Sequence, residues 1–261
     1  MSHETGIEDY VAGGGRLSSP DNAPPRYRGE IMRLIAVFVD SEMAGAAGFA
    51  DAINLAPGIR ERITAARIVL EKYSHAGEGL KLMEDFGANT ARYVNHHPWA
   101  NRLDRSADLG TRRVEGDMRL NVFHYPLHDW CDAVTMNTLM GIATEIQLGE
   151  LAECSYQPLC DTMARILPVE RRHAELGFAG LERLLDDGHD RVAAQACVNY
   201  WYPRVGDTFG RLDSDRFQLY RRFGLRHHSN DELHATWRRR CAETLSKVGL
   251  SEPDTTDSNR S

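Results

Sequence analysis

The sequence predicts an all-α protein built on a four-helix bundle with additional C-terminal helices. Four long segments carry apolar residues every three or four positions, which is the period of an amphipathic α-helix. No segment of useful length alternates apolar and polar residues as a strand does. The 261 residues, 42% of them hydrophobic, suffice for one domain with a sizeable core.

The helical domain is expected to cover residues 26–250. Before it the chain is rich in glycine and proline, with the runs Gly13–Gly15 and Pro24–Pro25. Such polar sequence rarely orders itself. We therefore expect residues 1–25 to form a flexible N-terminal tail or a partner-binding arm. Residues 251–261 are expected to form a disordered C-terminal tail.

The first predicted helix runs from residue 27 to about residue 54. Its apolar positions are Ile31, Ile35, Phe38, Gly45 and Phe49. Glu42 falls within the same stripe, so its carboxylate is expected to point into the core. A buried carboxylate needs a partner, because an unpaired charge in an apolar interior is costly.

The second predicted helix opens at Pro57, where proline is tolerated, and ends before the stop signal Gly87. Its core-facing row includes Lys72 and His75. A lysine and a histidine are therefore expected in the same interior as the carboxylate of the first helix.

Residues 88–128 interrupt the helical pattern with two prolines and two glycines. A loop this long inside a compact domain is usually functional or disordered. Its aromatic residues and arginines suggest a packed lid over the bundle or a subunit contact.

The third and fourth predicted helices cover residues 129–152 and 155–185, and further helices extend to about residue 249. Asp129 is a plausible N-cap of the third helix, and Glu145 lies on its predicted inner row. The inner row of the fourth helix contains Glu170 and His173. Pro168, just before this pair, is expected to kink the fourth helix.

A Glu and a His three residues apart on a helix lie on one face and can bind the same metal ion. Glu-x-x-His is also half of the ligand motif of carboxylate-bridged di-metal sites in four-helix bundles. Taken singly, each residue has a simpler explanation: Glu42 pairs with Lys72, His75 is a hydrogen-bonded core histidine, or Glu145 holds a water. Taken together, so many ionisable groups in one core must bind a metal or neutralise each other.

Composition excludes several classes of function. A net charge of −7 with interspersed lysine and arginine argues against nucleic acid or an anionic membrane as the main partner. The five cysteines lack C-x-x-C spacing, so neither a disulfide framework nor a zinc knuckle is indicated. Without a signal peptide or an apolar run of membrane length, the expected location is the cytoplasm.

Motifs spread along most of the chain carry a resemblance to a known family. They are Tyr27-Arg28, Ser41-Glu42-Met43-x-Gly45, Ala56-Pro57, His75 with Gly87, Phe123-x-Tyr125-Pro126, Trp130-x-Asp132, Cys154-Ser155-Tyr156-x-Pro158, Glu170-x-x-His173, Trp201-x-Pro203 and Asn230-Asp231-Glu232-Leu233. In this order they resemble the phenylacetic acid catabolic proteins, the family of the catalytic subunit of the multicomponent phenylacetyl-CoA epoxidase. The resemblance implies a ferritin-like bundle whose di-iron centre activates dioxygen and inserts one oxygen atom into the aromatic ring of a CoA thioester.

The family ligands carry over only in part. Those that match are Glu42, His75, Glu170 and His173. Lys72 stands at the position where the family has a bridging Glu. Gly141 stands at the position where the third helix of the family has an Asp. Glu145, one turn beyond Gly141, and Glu71, four residues before His75, are candidate replacement ligands.

Three functions follow from this pattern. The first is an oxygenase of the phenylacetyl-CoA epoxidase type, with iron held by the matching residues and Glu145 helping as ligand and catalytic group. The second is a non-catalytic structural subunit that has lost its ligands. The third is a metal-free or single-metal enzyme in which Lys72 acts as a base or Schiff-base amine.

The cofactor is therefore expected to be two irons, one iron or none. An oxygenase would also need an external electron donor, since no flavin or ferredoxin motif is present. Its expected partners are an acyl-CoA substrate, a reductase component and a sister or identical subunit. Candidate CoA contacts are the loop residues Arg102, Arg105, Arg112 and Arg113.

Overall fold

A computed structural model describes residues 3–114, 116–211 and 214–253. Nine α-helices lie within these ranges: α1 (His3–Ala12), α2 (Pro25–Ala52), α3 (Ile59–Asp85), α4 (Thr90–Val94), α5 (Trp130–Ala152), α6 (Gln157–Asp186), α7 (Arg191–Gly206), α8 (Asp215–Arg222) and α9 (Asn230–Ser246). The same ranges contain no β-strand, and their only extended pairing is an isolated bridge between Leu17 and Tyr156. The predicted all-α fold class is confirmed.

The ferritin-like bundle consists of α2, α3, α5 and α6, which match the four predicted helices within a few residues at each end. Helix α2 packs along α3, α5 packs along α6, and α3 meets α6 to join the two pairs. The Asp129 side chain accepts a hydrogen bond from the Asp132 amide, as expected of an N-cap. Helix α6 continues through Pro168. No described helix is long and apolar enough to cross a membrane.

Helices α5 and α6 approach each other closely because α6 has glycines along the contact. A Cβ atom added at Gly177 would lie 2.8 Å from Asn137 Nδ2 and 2.9 Å from the Thr138 amide nitrogen. A Cβ added at Gly180 would lie 2.8 Å from a methyl group of Val134. The absence of side chains at these glycines therefore sets the distance between the two helices.

The N-terminal segment differs from the flexible tail that its composition predicts. It contains helix α1, and the side chains of Ile7 and Leu17 are buried in the core. The Leu17 amide donates to the Ser155 carbonyl, and the Leu17 carbonyl accepts from the Gln157 amide, both at 2.8 Å. Apolar burial and backbone pairing with the start of α6 thus hold this segment in place. Most of the predicted C-terminal tail, residues 254–261, lies outside the described residues.

The excursion between α3 and α5 packs onto the bundle as a lid. Its Met118 amide donates to Asp40 Oδ2 at 2.5 Å, and its Leu120 amide donates to Ser41 Oγ at 3.0 Å. Tyr93 Oη also donates to Asp40, at 2.6 Å. These bonds to buried polar groups of α2 fix the lid above the bundle core.

The C-terminal helices cover the outer side of α5. Trp201 of α7 and Trp237 of α9 are fully buried, and both indoles donate to α5, Trp201 to Asp132 at 2.8 Å and Trp237 to the Leu139 carbonyl at 3.0 Å. Asp132 is also paired with Arg105 of the lid. One buried carboxylate therefore joins α5, α7 and the lid.

A pair of glycine substitutions tests the close approach of α5 and α6. Gly177→Ala is expected to lower the free energy of unfolding by roughly 1–3 kcal/mol, because the new methyl group overlaps the facing backbone. Gly149→Ala on α5 has no atom within 4 Å of the new methyl group, and it is expected to raise stability by up to about 1 kcal/mol. Urea denaturation of both variants measures the difference, and equal effects would contradict the packing described.

Candidate functional site

Three bundle helices bring five ionisable side chains together in the interior. They come from α2, α3 and α6, and none is more than 7% exposed. The five residues are Glu42, Lys72, His75, Glu170 and His173. Helical periodicity places them there, since each falls on the apolar face of its own helix. The predicted convergence of these residues is therefore present in the structure.

The Lys72 ammonium lies between two carboxylates. Its Nζ is 3.2 Å from Glu42 Oε1 and 3.3 Å from Glu170 Oε2. Charge-assisted hydrogen bonds of this kind stabilise buried ions that would otherwise be costly to desolvate. The ammonium thus bridges α2 and α6 from its position on α3.

His75 completes the cluster one helical turn after Lys72. Its Nδ1 lies 2.8 Å from Glu170 Oε1 and 3.4 Å from Glu42 Oε2. Burial alone would lower the pKa of His75, but contact with the Glu170 and Glu42 carboxylates raises it to about 9. His75 is therefore a cation at neutral pH.

The same electrostatics determine the charges of Lys72 and Glu170. Burial works against both ions, yet the Glu170 and Glu42 carboxylates raise the pKa of Lys72 above its ordinary value. The Lys72 ammonium and the two histidines His75 and His173 hold the pKa of Glu170 well below its ordinary value. The Lys72 ammonium and the His75 imidazolium thus balance the carboxylates of Glu42 and Glu170.

The raised pKa of Lys72 has a chemical consequence. A lysine that acts as a base or forms a Schiff base needs a pKa lowered by desolvation, whereas here the carboxylates outweigh desolvation. The catalytic role predicted for Lys72 therefore lacks the electrostatic condition on which that prediction rested.

His173 points toward the edge of the cluster, where it meets Glu71. Its Nε2 lies 2.7 Å from Glu71 Oε2, and Glu71 Oε1 accepts a hydrogen bond from Arg172 at 2.5 Å. The carbonyl of His173 accepts a hydrogen bond from Asn137 of α5 at 2.9 Å. Asn137 was not among the predicted site residues, although it lies four residues before Gly141 on the same helix row.

Glu145, predicted as an inward ligand and catalytic group, lies outside the cluster. Its carboxylate accepts from Arg171 Nε at 3.0 Å and from Arg240 Nη2 at 2.5 Å. Despite partial burial, the two arginines lower the pKa of Glu145. The prediction failed because α5 is buried on nearly all sides between residues 131 and 143, so periodicity does not distinguish its inner row from its outer row.

Gly141 leaves no space for a ligand on α5. A Cβ atom added there would lie 2.6 Å from the Cβ and 2.7 Å from the Cα of Ala174 on α6. A carboxylate side chain at this position would therefore require the two helices to separate.

Two cavities flank the cluster. A cavity of about 110 Å³ lies between α2 and α5 and reaches Glu42. A cavity of about 30 Å³ reaches Lys72 and Glu170, which is room for only one or two water molecules. Phe123, Met140 and Thr144 line both cavities.

The arginines proposed as CoA contacts mostly form bonds within the lid or between the lid and the bundle. Arg102 donates to the carbonyls of Trp99 and Ala44, and Arg105 is paired with Asp132. Arg113 donates to two carbonyls of its own loop. Three of these four side chains thus stabilise the lid through bonds inside the protein.

The residues present do not fit the di-iron centre that the family pattern implies. Glu42, His75 and Glu170 do offer ligand atoms within 4.8 Å of one another, and Glu42 Oε2 has no hydrogen-bond partner among the described residues. However, the Lys72 ammonium occupies the space between the carboxylates, and α5 contributes no carboxylate. The ion cluster satisfies its own charges without a metal.

The charge of His75 predicts a specific pH dependence of stability. Because the pKa of His75 is raised from 6.5 to about 9, its contribution is fully present below pH 6.5 and is lost as the pH rises through 9. Relative to His75→Gln, the wild-type protein is expected to be more stable by up to roughly 3 kcal/mol at low pH, since one pKa unit corresponds to about 1.4 kcal/mol.

Urea denaturation of both proteins between about pH 6 and pH 10 measures this difference. His96→Gln, which removes an exposed imidazole, controls for the loss of a ring. A difference between wild type and His75→Gln that grows with pH would contradict the assignment of a buried imidazolium.

Comparison with known proteins gives a direct result for the family. The model of the phenylacetic acid catabolic protein family matches residues 9–261, nearly the whole chain. A comparison with curated protein sequences finds no match. Because the family model covers the bundle, the lid and the C-terminal helices together, the chain belongs to the phenylacetic acid catabolic protein family.

Proposed function

We propose that this chain is a metal-independent structural subunit of a multicomponent phenylacetate-CoA oxygenase. The observation that carries the proposal is the position of the Lys72 ammonium between Glu42 and Glu170. In this proposal the chain supports a sister subunit that holds the iron and performs the oxygenation, with electrons supplied by a separate reductase.

Charge balance supports the proposal. The carboxylates of Glu42 and Glu170 are neutralised by the Lys72 ammonium and the His75 imidazolium. A divalent cation entering this space would meet two positive charges at close range in a poorly solvated interior, where repulsion is strong. Metal binding would therefore require the displacement of Lys72 and the loss of a proton from His75.

The packing of α5 supports it independently. Gly141 lies against the backbone of α6, so α5 contributes a tight helix contact where the family pattern calls for a ligand. The cavity that reaches Lys72 and Glu170, about 30 Å³, has room for only one or two water molecules. A structural role does not require a ligand on α5.

A second candidate function is an oxygenase of the phenylacetyl-CoA epoxidase type with a shifted ligand set. The observation that favours it is the contact of Glu71 with His173, at 2.7 Å. Glu71 would then replace the missing carboxylate of α3 beside the matching residues, once Lys72 had swung away. Glu145 does not enter this set, because two arginines hold its carboxylate.

Substitution of Lys72 tests the proposal through iron content. Wild-type protein produced with excess iron is expected to contain almost none. Lys72→Glu exchanges a cation for a carboxylate and is expected to bind iron measurably, since it restores the ligand type that the family has on this helix. Lys81→Glu, at an exposed position of the same helix, is the matched control and should stay iron-free.

The variant Lys72→Met tests how much the Lys72 ammonium contributes to the stability of the fold. It leaves two buried carboxylates without their main partner and is expected to lower the free energy of unfolding by about 3–5 kcal/mol. Urea denaturation measures the loss.

Measurements of iron content and of catalytic turnover distinguish the two candidate functions. If the wild-type chain purifies with two irons and oxidises phenylacetyl-CoA when supplied with electrons and dioxygen, the structural role is wrong. Loss of that activity in Glu170→Gln would then assign it to this site.

A further inference from the structure

Helix α3 has a second apolar face, which points to solvent. Its members are Ile59 at 75% exposure, Ile63 at 56%, Leu70 at 67% and Tyr73 at 44%. Ala66, between them, is also exposed. Single exposed apolar residues are common on protein surfaces, but a continuous row of them on one helix marks an interaction site.

The spacing of this row is that of a coiled-coil seam. The intervals from Ile59 through Ile63, Ala66 and Leu70 to Tyr73 alternate between four and three residues, as positions a and d of a heptad do. The row extends over roughly 21 Å of helix, at about 1.5 Å per residue. We call these five residues the α3 seam.

The bundle does not need the α3 seam for its own core. The face of α3 that packs inside the bundle carries other residues, among them Ala65, Ile68 and Ala76, which are at most 2% exposed. A surface helix normally has one apolar stripe and a polar outer face. The outer stripe of α3 therefore indicates a contact outside this chain.

The positions that flank the seam are basic. Arg60, Arg62 and Arg67 are exposed and occupy the e and g positions of the same heptad register. The carboxylates of α3 nearest to them, Glu61 and Glu71, are paired with Arg183 and Arg172 of α6. The rim of the seam is thus positive on a chain whose net charge is −7.

The positive charge of this rim determines which kind of helix can pack against the α3 seam. In a pair of identical seams, e and g arginines would face arginines in either orientation, and like charges across a seam oppose association. A helix with acidic residues at its own flanking positions would instead form interhelical ion pairs. The charge pattern therefore favours a different, acidic chain over a second copy of this one.

We propose that the α3 seam binds an amphipathic helix of another subunit, with apolar residues at heptad spacing and Glu or Asp on both flanks. The proposal deepens the structural role proposed above, because it identifies the surface through which this chain holds its partner. The seam lies on the face of α3 opposite to the side chains that enter the ion cluster.

A designed peptide provides the probe. It has four heptads with Leu at a and d and Glu at e and g, and a second peptide replaces each of those Glu residues by Lys. The full-length chain is expected to bind the Glu peptide, more weakly as the salt concentration rises, and to bind the Lys peptide at least tenfold more weakly. Fluorescence anisotropy of labelled peptides measures both affinities.

Variants locate the binding. Leu70→Glu is expected to weaken binding of the Glu peptide at least tenfold, since it places a carboxylate in the apolar seam. The double variant Arg62→Glu, Arg67→Glu is expected to reverse the preference between the two peptides. Val192→Glu, at an exposed apolar position of α7, is the matched control and should bind like the wild type. Circular dichroism verifies that each variant is folded.

Three outcomes would overturn the proposal. They are absence of binding to the Glu peptide, equal binding by Leu70→Glu and wild type, and a concentration-dependent dimer of the chain alone that Leu70→Glu abolishes. The last outcome would assign the seam to a second copy of this chain. Sedimentation velocity of the chain without peptide tests it directly.

Iron content measured on the same samples separates this proposal from the proposed function. If the chain contains iron and still binds the Glu peptide at the seam, the metal-independent role is wrong and the docking surface is supported. If the chain is free of iron and does not bind the Glu peptide, the metal-independent role is supported and the docking surface is wrong.

Discussion

The ion bridge from Lys72 to Glu42 and Glu170 is the interaction on which the interior of this bundle depends. Charged groups inside a protein are tolerated only when each has a partner at close range. Here one ammonium on α3 joins a carboxylate of α2 and a carboxylate of α6, at 3.2 and 3.3 Å. His75 adds the second positive charge against the same carboxylates. The ammonium and the imidazolium thereby connect the three helices through ion pairs with the two carboxylates.

The contact between α5 and α6 complements this cluster. At Gly141 and Gly177 the two helices approach so closely that a methyl group would overlap the opposite helix. The lack of a side chain at Gly141 removes a ligand and permits this approach at the same time. In physical terms, the absence of a side chain at position 141 and the tight packing of the bundle are one feature. Restoring a carboxylate at position 141 would therefore disturb the packing as well as change the charge.

Periodicity was sufficient to predict the four bundle helices and the burial of Glu42, Lys72, His75 and Glu170, because each falls within a row of apolar residues spaced by three or four positions. It failed for Glu145, since α5 is buried on most sides and its rows look alike. It also failed for the N-terminal segment, which is ordered by contacts with residues far along the chain, such as the pairing of Leu17 with Ser155. No local pattern carries that information. From the sequence, the pairing of Lys72 with two carboxylates was one of several possible arrangements. The positions of Glu42, Lys72 and Glu170 in the folded chain show that this pairing is the one formed.

The most direct test of the central claim is a crystal structure of the wild-type protein grown and soaked with ferrous iron under anaerobic conditions, with anomalous diffraction recorded at the iron absorption edge. The account predicts no anomalous peak among Glu42, His75 and Glu170, and electron density for the Lys72 ammonium between the two carboxylates. An iron peak at that position, with Lys72 turned away, would contradict it.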